Sequence, residues 1–254
     1  MPHSRVIVGV VGGHSQPTLA EHIGKEIADK DQILLTGGRP GAGGAEAKDR
    51  AMDGAVNFAS NKAGKVARII SVLPENPPTG RDVLWSLEIS AQRRAVSIHT
   101  RLSSHQRDFI NGVTPDVLIT LRGGPGTLAE IVFAAFTGVP VVFVDSFDQL
   151  RAKLDDAGRL EAVQKIIDEA RQEYPIGGAL ETASVVTGLQ SLLAKPGLTV
   201  PPTGNLADDA EKTVSLALAH AKSSATSALN KFPGIKSYPN SAQEFERLLG
   251  IVDA

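Results

Sequence analysis

The stretch from Thr120 to Glu130, Thr-Leu-Arg-Gly-Gly-Pro-Gly-Thr-Leu-Ala-Glu, concentrates the residues most suited to chemistry in this chain. An apolar run (Val117, Leu118, Ile119, Leu121) enters a turn containing Gly123, Gly124 and Gly126, and a helix-periodic set follows (Leu128, Ile131, Val132, Ala135, Phe136). A turn of this kind leaves backbone N–H groups free at a helix N-terminus, where the helix dipole also favours negative charge. Phosphate is the matching guest. Glu130 stands about one turn into the helix, acidic where the cradle is not, and suits a different part of a ligand. The same residues also fit a plain strand-to-helix turn with Glu130 as an ordinary first-turn acid, because short glycine patterns recur by chance.

The elements around this stretch decide between those readings. Residues 6–11, 33–35, 66–73, 95–98, 117–121 and 139–144 read as apolar strands. Helical patterns fall between them at 17–29, 45–59, 103–112 and after Gly126. Continuous apolar strands separated by amphipathic helices predict a doubly wound, Rossmann-like α/β domain, its parallel sheet covered on both faces. Ligands of such sheets bind outside the carboxyl ends of the strands, near the switch in strand order. Three glycine clusters fall at predicted strand ends: Gly12-Gly13 with His14 and Ser15, Thr36-Gly37-Gly38, and the turn at Gly123. They are expected to meet on one rim.

Residues 74–94, with Pro74, Pro77, Pro78 and Gly80, read as a surface loop, the alternative being a substrate lid in which Trp85 folds back. After Asp145 the pattern turns helical, over 150–170, 183–194, 207–230 and 241–252, broken by Pro196, Pro201 and Pro202. This predicts a binding domain at 1–150 and a helical C-terminal extension at 151–254, packed on the same domain or on a partner subunit.

Composition narrows the function classes. The 254 residues suffice for a sizeable core. A net charge of −2 argues against a broad nucleic-acid footprint. The absence of cysteine excludes disulfides, thiolate metal sites and cysteine nucleophiles. No apolar run approaches the ~20 residues of a membrane span, and Met1-Pro2-His3-Ser4-Arg5 lacks the apolar block of a signal peptide. A cytoplasmic protein with no membrane partner is expected. His99 and His105 flank a predicted helix start without metal-ligand spacing, so no metal is expected. GxSxG and GxxxxGK[ST] are both missing, which sets aside serine-hydrolase and P-loop chemistry.

Taken together, the motifs resemble those of the LONELY GUY (LOG) family and the wider SLOG group. Their PGGxGTxxE hallmark is matched by Arg122–Glu130, their TGG turn by Thr36-Gly37-Gly38, and their A-M-x-G-A segment by Ala51–Ala55. The G-G-x-S loop is matched by Gly12–Ser15, and the family's helix arginine, fifteen positions ahead of the hallmark, by Arg107. The resemblance covers roughly residues 5–145. It implies a phosphoribohydrolase that splits a nucleoside 5′-monophosphate into base and ribose 5-phosphate, with no cofactor. Glycosidic cleavage places positive charge on the sugar, and Glu130 is the carboxylate implied beside it. The amides from Gly123 through Gly124 and Gly126 to Thr127, and the Thr127 hydroxyl, would hold the 5′-phosphate. Arg107 would bind that phosphate or fix Glu130 through a bidentate pair. Homodimers or larger homo-oligomers are implied as well.

Two departures favour a different branch. Arg122 replaces the hallmark proline, and Asp108 stands where cytokinin-activating LOG proteins carry lysine. The segment Gln106–Asn111 is closer to SLOG branches that bind nucleotides or carry the molybdenum cofactor. Arg122 is then either a phosphate ligand or a solvent-facing rim residue. His14 either meets the base or ribose or is solvated, and His105 is a further possible ligand contact beside Arg107. The enzyme, the non-catalytic binder and a plain scaffold assembled through its helical tail all stay open on sequence alone.

Overall fold

The computed structural model describes residues 5–38, 46–73, 87–89, 93–100, 104–123, 125–144 and 198–221. Eight strands form one sheet: β1 (Ile7–Val11), β2 (Ile33–Thr36), β3 (Ala67–Leu73), β4 (Leu87–Ile89), β5 (Arg93–His99), β6 (Val117–Thr120), β7 (Val141–Val144) and β8 (Thr199–Val200). Five helices accompany them: α1 (Pro17–Asp29), α2 (Ala47–Asn61), α3 (Ser104–Val113), α4 (Pro125–Thr137) and α5 (Leu206–His220). The strand order is β4-β5-β3-β2-β1-β6-β7-β8. All pairings are parallel except β4 with β5. The chain winds outward from β1 in one direction, then returns to place β6 against β1 with Val8 opposite Val117 and Val11 opposite Thr120. That return is the switch point of the sheet, and the carboxyl ends of β1 and β6 open onto it.

Helices cover both faces, as the apolar strands require. Leu19 and Ile23 of α1, Ala51 and Ala55 of α2, and Val214 of α5 share one core with Val8, Leu34 and Ile119. On the other face Phe109 of α3 meets Phe133 of α4 edge to face, with ring centroids 5.1 Å apart. Glycines set how closely the helices approach. A Cβ built on Gly54, in the Ala51–Ala55 segment, would overlap the Glu21 carbonyl, and one on Gly24 the Ala51 carbonyl. The α1–α2 contact is therefore backbone against backbone. Gly112 plays the same part for α3, where a Cβ would sit 2.5 Å from the Glu130 carbonyl oxygen. This close approach carries α3 side chains to the buried side of Glu130.

Three strands differ from the sequence expectation. Residues 74–94 were expected as loop, whereas Leu87–Ile89 form β4 and the Arg93-Arg94 pair opens β5. Three residues are too few to show an alternation, and two arginines disguise the start of a strand that the sheet nonetheless pairs with β3. Residues 74–86, including Trp85, lie outside the described residues. In the C-terminal segment, Thr199–Val200 add β8 to the edge of the same sheet before Pro201 and Pro202 stop it. Helix α5 then starts at the Asn205 cap, whose side chain accepts from the Asp208 N–H, and packs on α1. Residues 198–221 thus complete the α/β layer. The remaining helical expectations after 145 fall outside the described residues.

Candidate functional site

Hydrogen bonds tie the rim of the switch point together. The Gly13 N–H donates to the Arg122 carbonyl at 2.8 Å, and the Ser15 hydroxyl donates to the same oxygen at 3.2 Å. The Arg122 N–H donates to Gln16 Oε1 at 3.3 Å. From the other side, the Ala47 N–H at the start of α2 donates to the Gly13 carbonyl at 2.9 Å. Gly12 has φ of 155°, and a Cβ there would press on Leu121 at 2.9 Å and on Ala47 at 3.1 Å. The loop after β1, the loop after β6 and the N-terminus of α2 therefore form one body. Thr127 is tucked beneath this body, since a Cβ on Gly123 would overlap its hydroxyl. Thr127 belongs to the first turn of α4, whose leading amides have no partner within the helix.

Beneath the rim is a buried acid cluster. Glu130 is 6% exposed and Asp108 4%. Asn111, fully buried on α3, donates from Nδ2 to Glu130 Oε1 at 2.8 Å. Arg107 lies one helical turn earlier on the same face of α3. Its Nη1 donates to the Gly37 carbonyl at 3.2 Å, and its Nη2 is 3.3 Å from Asp108 Oδ1. Burial pushes the Glu130 carboxyl up to about 8, and the neighbouring Asp108 carboxylate adds to the rise. Arg107, the Asn111 hydrogen bond and Lys48 act against it without cancelling it. Burial and Asp108 together favour the neutral acid form of Glu130.

The glycine clusters after β1 and β6 converge directly. The turn after β2 joins through α3: a Cβ on Gly37 would overlap Arg107 Nη1 and lie 3.1 Å from Asn111 Nδ2. Gly37 thus makes room for two side chains, while the Gly38 N–H bonds back to the Thr36 hydroxyl at 3.2 Å. Gly126 faces the acid cluster, with a built Cβ 3.3 Å from Asp108 Oδ2. His14 is largely solvent-exposed, its Nε2 3.5 Å from Glu46 Oε1, and Glu46 also pairs with Lys48 at 2.6 Å. Arg122 is exposed at the rim. Gly124 lies outside the described residues, as do the contacts of the His105 side chain. The bidentate Arg107–Glu130 pair is replaced by Arg107–Asp108, with Asn111 on Glu130. Sequence reasoning passed over Asn111 and Lys48. The i, i+4 spacing of Arg107 and Asn111 was the available signal for the first.

The profile of the SLOG cluster4 family matches residues 5–173. The chain belongs to the SLOG cluster4 family. Among solved structures, this SLOG protein is similar to the molybdenum cofactor carrier protein of Chlamydomonas reinhardtii, at 29% identity over 75% of this chain and 99% of that one, with a TM-score of 0.41. It is also similar to the molybdenum cofactor binding protein of the phototrophic bacterium Rippkaea orientalis, at 24% identity over 74% of this chain and 98% of that one, with a TM-score of 0.42. A comparison with curated proteins finds no match. Among the described residues of the SLOG chain, no helix is long and apolar enough to cross a membrane. No group of three His, Asp or Glu side chains among them is placed to hold a metal ion.

Proposed function

We propose that this SLOG protein binds a phosphorylated small molecule, a nucleotide or a pterin-type cofactor, on the rim between β1 and β6 and holds it without cleaving it. The observation that carries this reading is the partner exchange beneath the rim. Arg107 is committed to Asp108 and the Gly37 carbonyl, and Glu130 is buried against Asn111. A glycosidase needs an ionised carboxylate beside the developing sugar cation. A neutral acid does not supply that charge. In a binder it suits the site better, because it places no negative charge next to a bound phosphate. Asp108, where LOG enzymes carry lysine, supports the same choice.

The phosphate would sit on the α4 amides and the Thr127 hydroxyl, with Arg122 and Lys48 as nearby cations. The hydrolase reading rests on Glu130 and Arg107 lying at the family's catalytic positions. Incubating the purified chain with AMP, GMP, CMP and UMP separates the two. Binding by calorimetry with no free base by chromatography is expected. Base release with turnover would overturn the binder. Assembly as a homodimer or larger homo-oligomer belongs to the same reading, with Ile98, an exposed apolar side chain on β5, at a candidate interface. Light scattering measures it.

A further inference from the structure

Asn111 is fully buried, yet among the described residues its Oδ1 has no hydrogen-bond partner. Leaving a buried amide oxygen unsatisfied is costly, so such atoms call for an explanation. The other half of the same amide already donates to Glu130 Oε1 at 2.8 Å. A carboxylate is acceptor-only and has nothing to offer Oδ1, whereas a protonated carboxyl has one O–H to give. An amide facing a carboxylic acid in this way can close a ring of two hydrogen bonds.

We propose that Asn111 and Glu130 form such an amide–acid pair, with Asn111 Nδ2 donating to Oε1 and Glu130 Oε2–H donating to Asn111 Oδ1, so that Asn111 acts as the positioning residue that keeps a proton on Glu130 and the rim takes up its anionic ligand only in that state. The ligand half of this statement rests on the binding function above.

The surroundings agree with the proton staying there. From α3, Asp108 opposes ionisation of Glu130, and Arg107 favours it while paired with Asp108. The Asn111 Nδ2–H bond taken alone favours ionisation too, so the hold on the proton rests on the second bond of the ring, from Glu130 Oε2–H to Asn111 Oδ1. From the N-terminus of α2, Lys48 favours ionisation while its ammonium is paired with Glu46. The buried Arg107–Asp108 pair is neutral as a unit. With Glu130 protonated, the floor of the site carries no net charge; with Glu130 ionised it carries one negative charge directly below an anion. Gly37 serves the pair too, since any side chain there would displace Arg107 and crowd Asn111 Nδ2. The competing account of the orphaned oxygen is a buried water between Asn111 Oδ1 and Arg107 Nε, which likewise lacks a partner among the described residues.

Two measurements on the full chain decide the matter. The first is the infrared difference spectrum of wild type minus Glu130→Gln at pH 7. The pair predicts a protonated-carboxyl C=O band, moved to higher frequency in Asn111→Leu. No such band, or a band indifferent to Asn111→Leu, overturns it in favour of the water. The second is AMP affinity by calorimetry between pH 7 and 9.5. Wild-type affinity is expected to fall about tenfold per pH unit above the Glu130 transition, as loss of one required proton demands. In Glu130→Gln, whose amide closes the same ring without titrating, the profile is expected to be flat; parallel profiles overturn the coupling. If AMP binds neither protein at any pH, the binding function fails and the coupling with it. The infrared band then decides the pair by itself.

Discussion

At Arg107 the difference between a charge and a shaped charge becomes testable. Its guanidinium reaches the Gly37 carbonyl through one nitrogen and Asp108 through another, joining the turn after β2 to the acid cluster. A lysine ammonium lacks that planar fork. Arg107→Lys is therefore expected to weaken AMP binding about tenfold, or ~1.4 kcal/mol, with no base released by either protein. Wild-type affinity in the mutant would detach Arg107 from the site. Gly126 makes a second case. A Cβ there has 3.3 Å to Asp108 Oδ2, and the methyls of a valine have less. Gly126→Val should push Asp108 away from Arg107 and remove measurable AMP binding while the circular dichroism spectrum stays native. Binding within about threefold of wild type would place the anion elsewhere.

Among the elements, the glycines of the helices show what a sequence reveals and what it conceals. Gly54 was legible as part of a family segment, but its physical task, letting α2 touch the Glu21 carbonyl of α1, required the packing. Gly54→Ala should force the two helices apart and cost about 1–3 kcal/mol, read as a lower urea midpoint. The exposed Ser60→Ala on α2 should stay within about 0.5 kcal/mol. Equal effects from both would remove the close-approach argument. The Thr36-Gly37-Gly38 turn shows the same division. Its glycines announced a place without side chains and were read as part of the ligand rim, yet Gly37 is bare so that Arg107 and Asn111 fit. Asn111 escaped notice because a lone asparagine on a helix has no pattern of its own until Glu130 stands opposite it. β4 and β8 were hidden by length, three and two residues, which is below what periodicity reveals.

On the scale of the molecule, alternating apolar strands and helices disclosed a parallel sheet with helices on both faces. The strand order was not disclosed, because each strand reads as apolar wherever it lies in the sheet. That order puts the glycine rim at the carboxyl ends of the central strands β1 and β6 and a second buried carboxyl at their amino ends. Asp116, before β6, accepts a hydrogen bond from the Ile7 N–H at 2.9 Å, and its own N–H donates to the Ile7 carbonyl at 2.8 Å. Burial raises its carboxyl to about 6, the Ile7 hydrogen bond opposing this only in part. Asp116 and Glu130 both hold protons in the folded chain that the unfolded chain releases. Their contribution is complete below the ordinary carboxylate range, near pH 4, and is lost as pH rises through about 6 for Asp116 and about 8 for Glu130. Asp29 and Asp209 shift downward, so their stabilisation disappears only on acidification below that window. Urea unfolding should therefore show wild-type stability falling from pH 4.5 to 8, steeply up to about pH 6 where both groups contribute and about half as steeply above it. Asp116→Asn keeps an acceptor for the Ile7 N–H but cannot titrate. It should halve the slope below about pH 6, on the order of 2 kcal/mol in all, and leave the slope above pH 6 unchanged. A mutant whose stability still falls in parallel with wild type between pH 4.5 and 6.5 would show that Asp116 ionises freely in the folded protein, and that its burial at the foot of β6 is relieved by water.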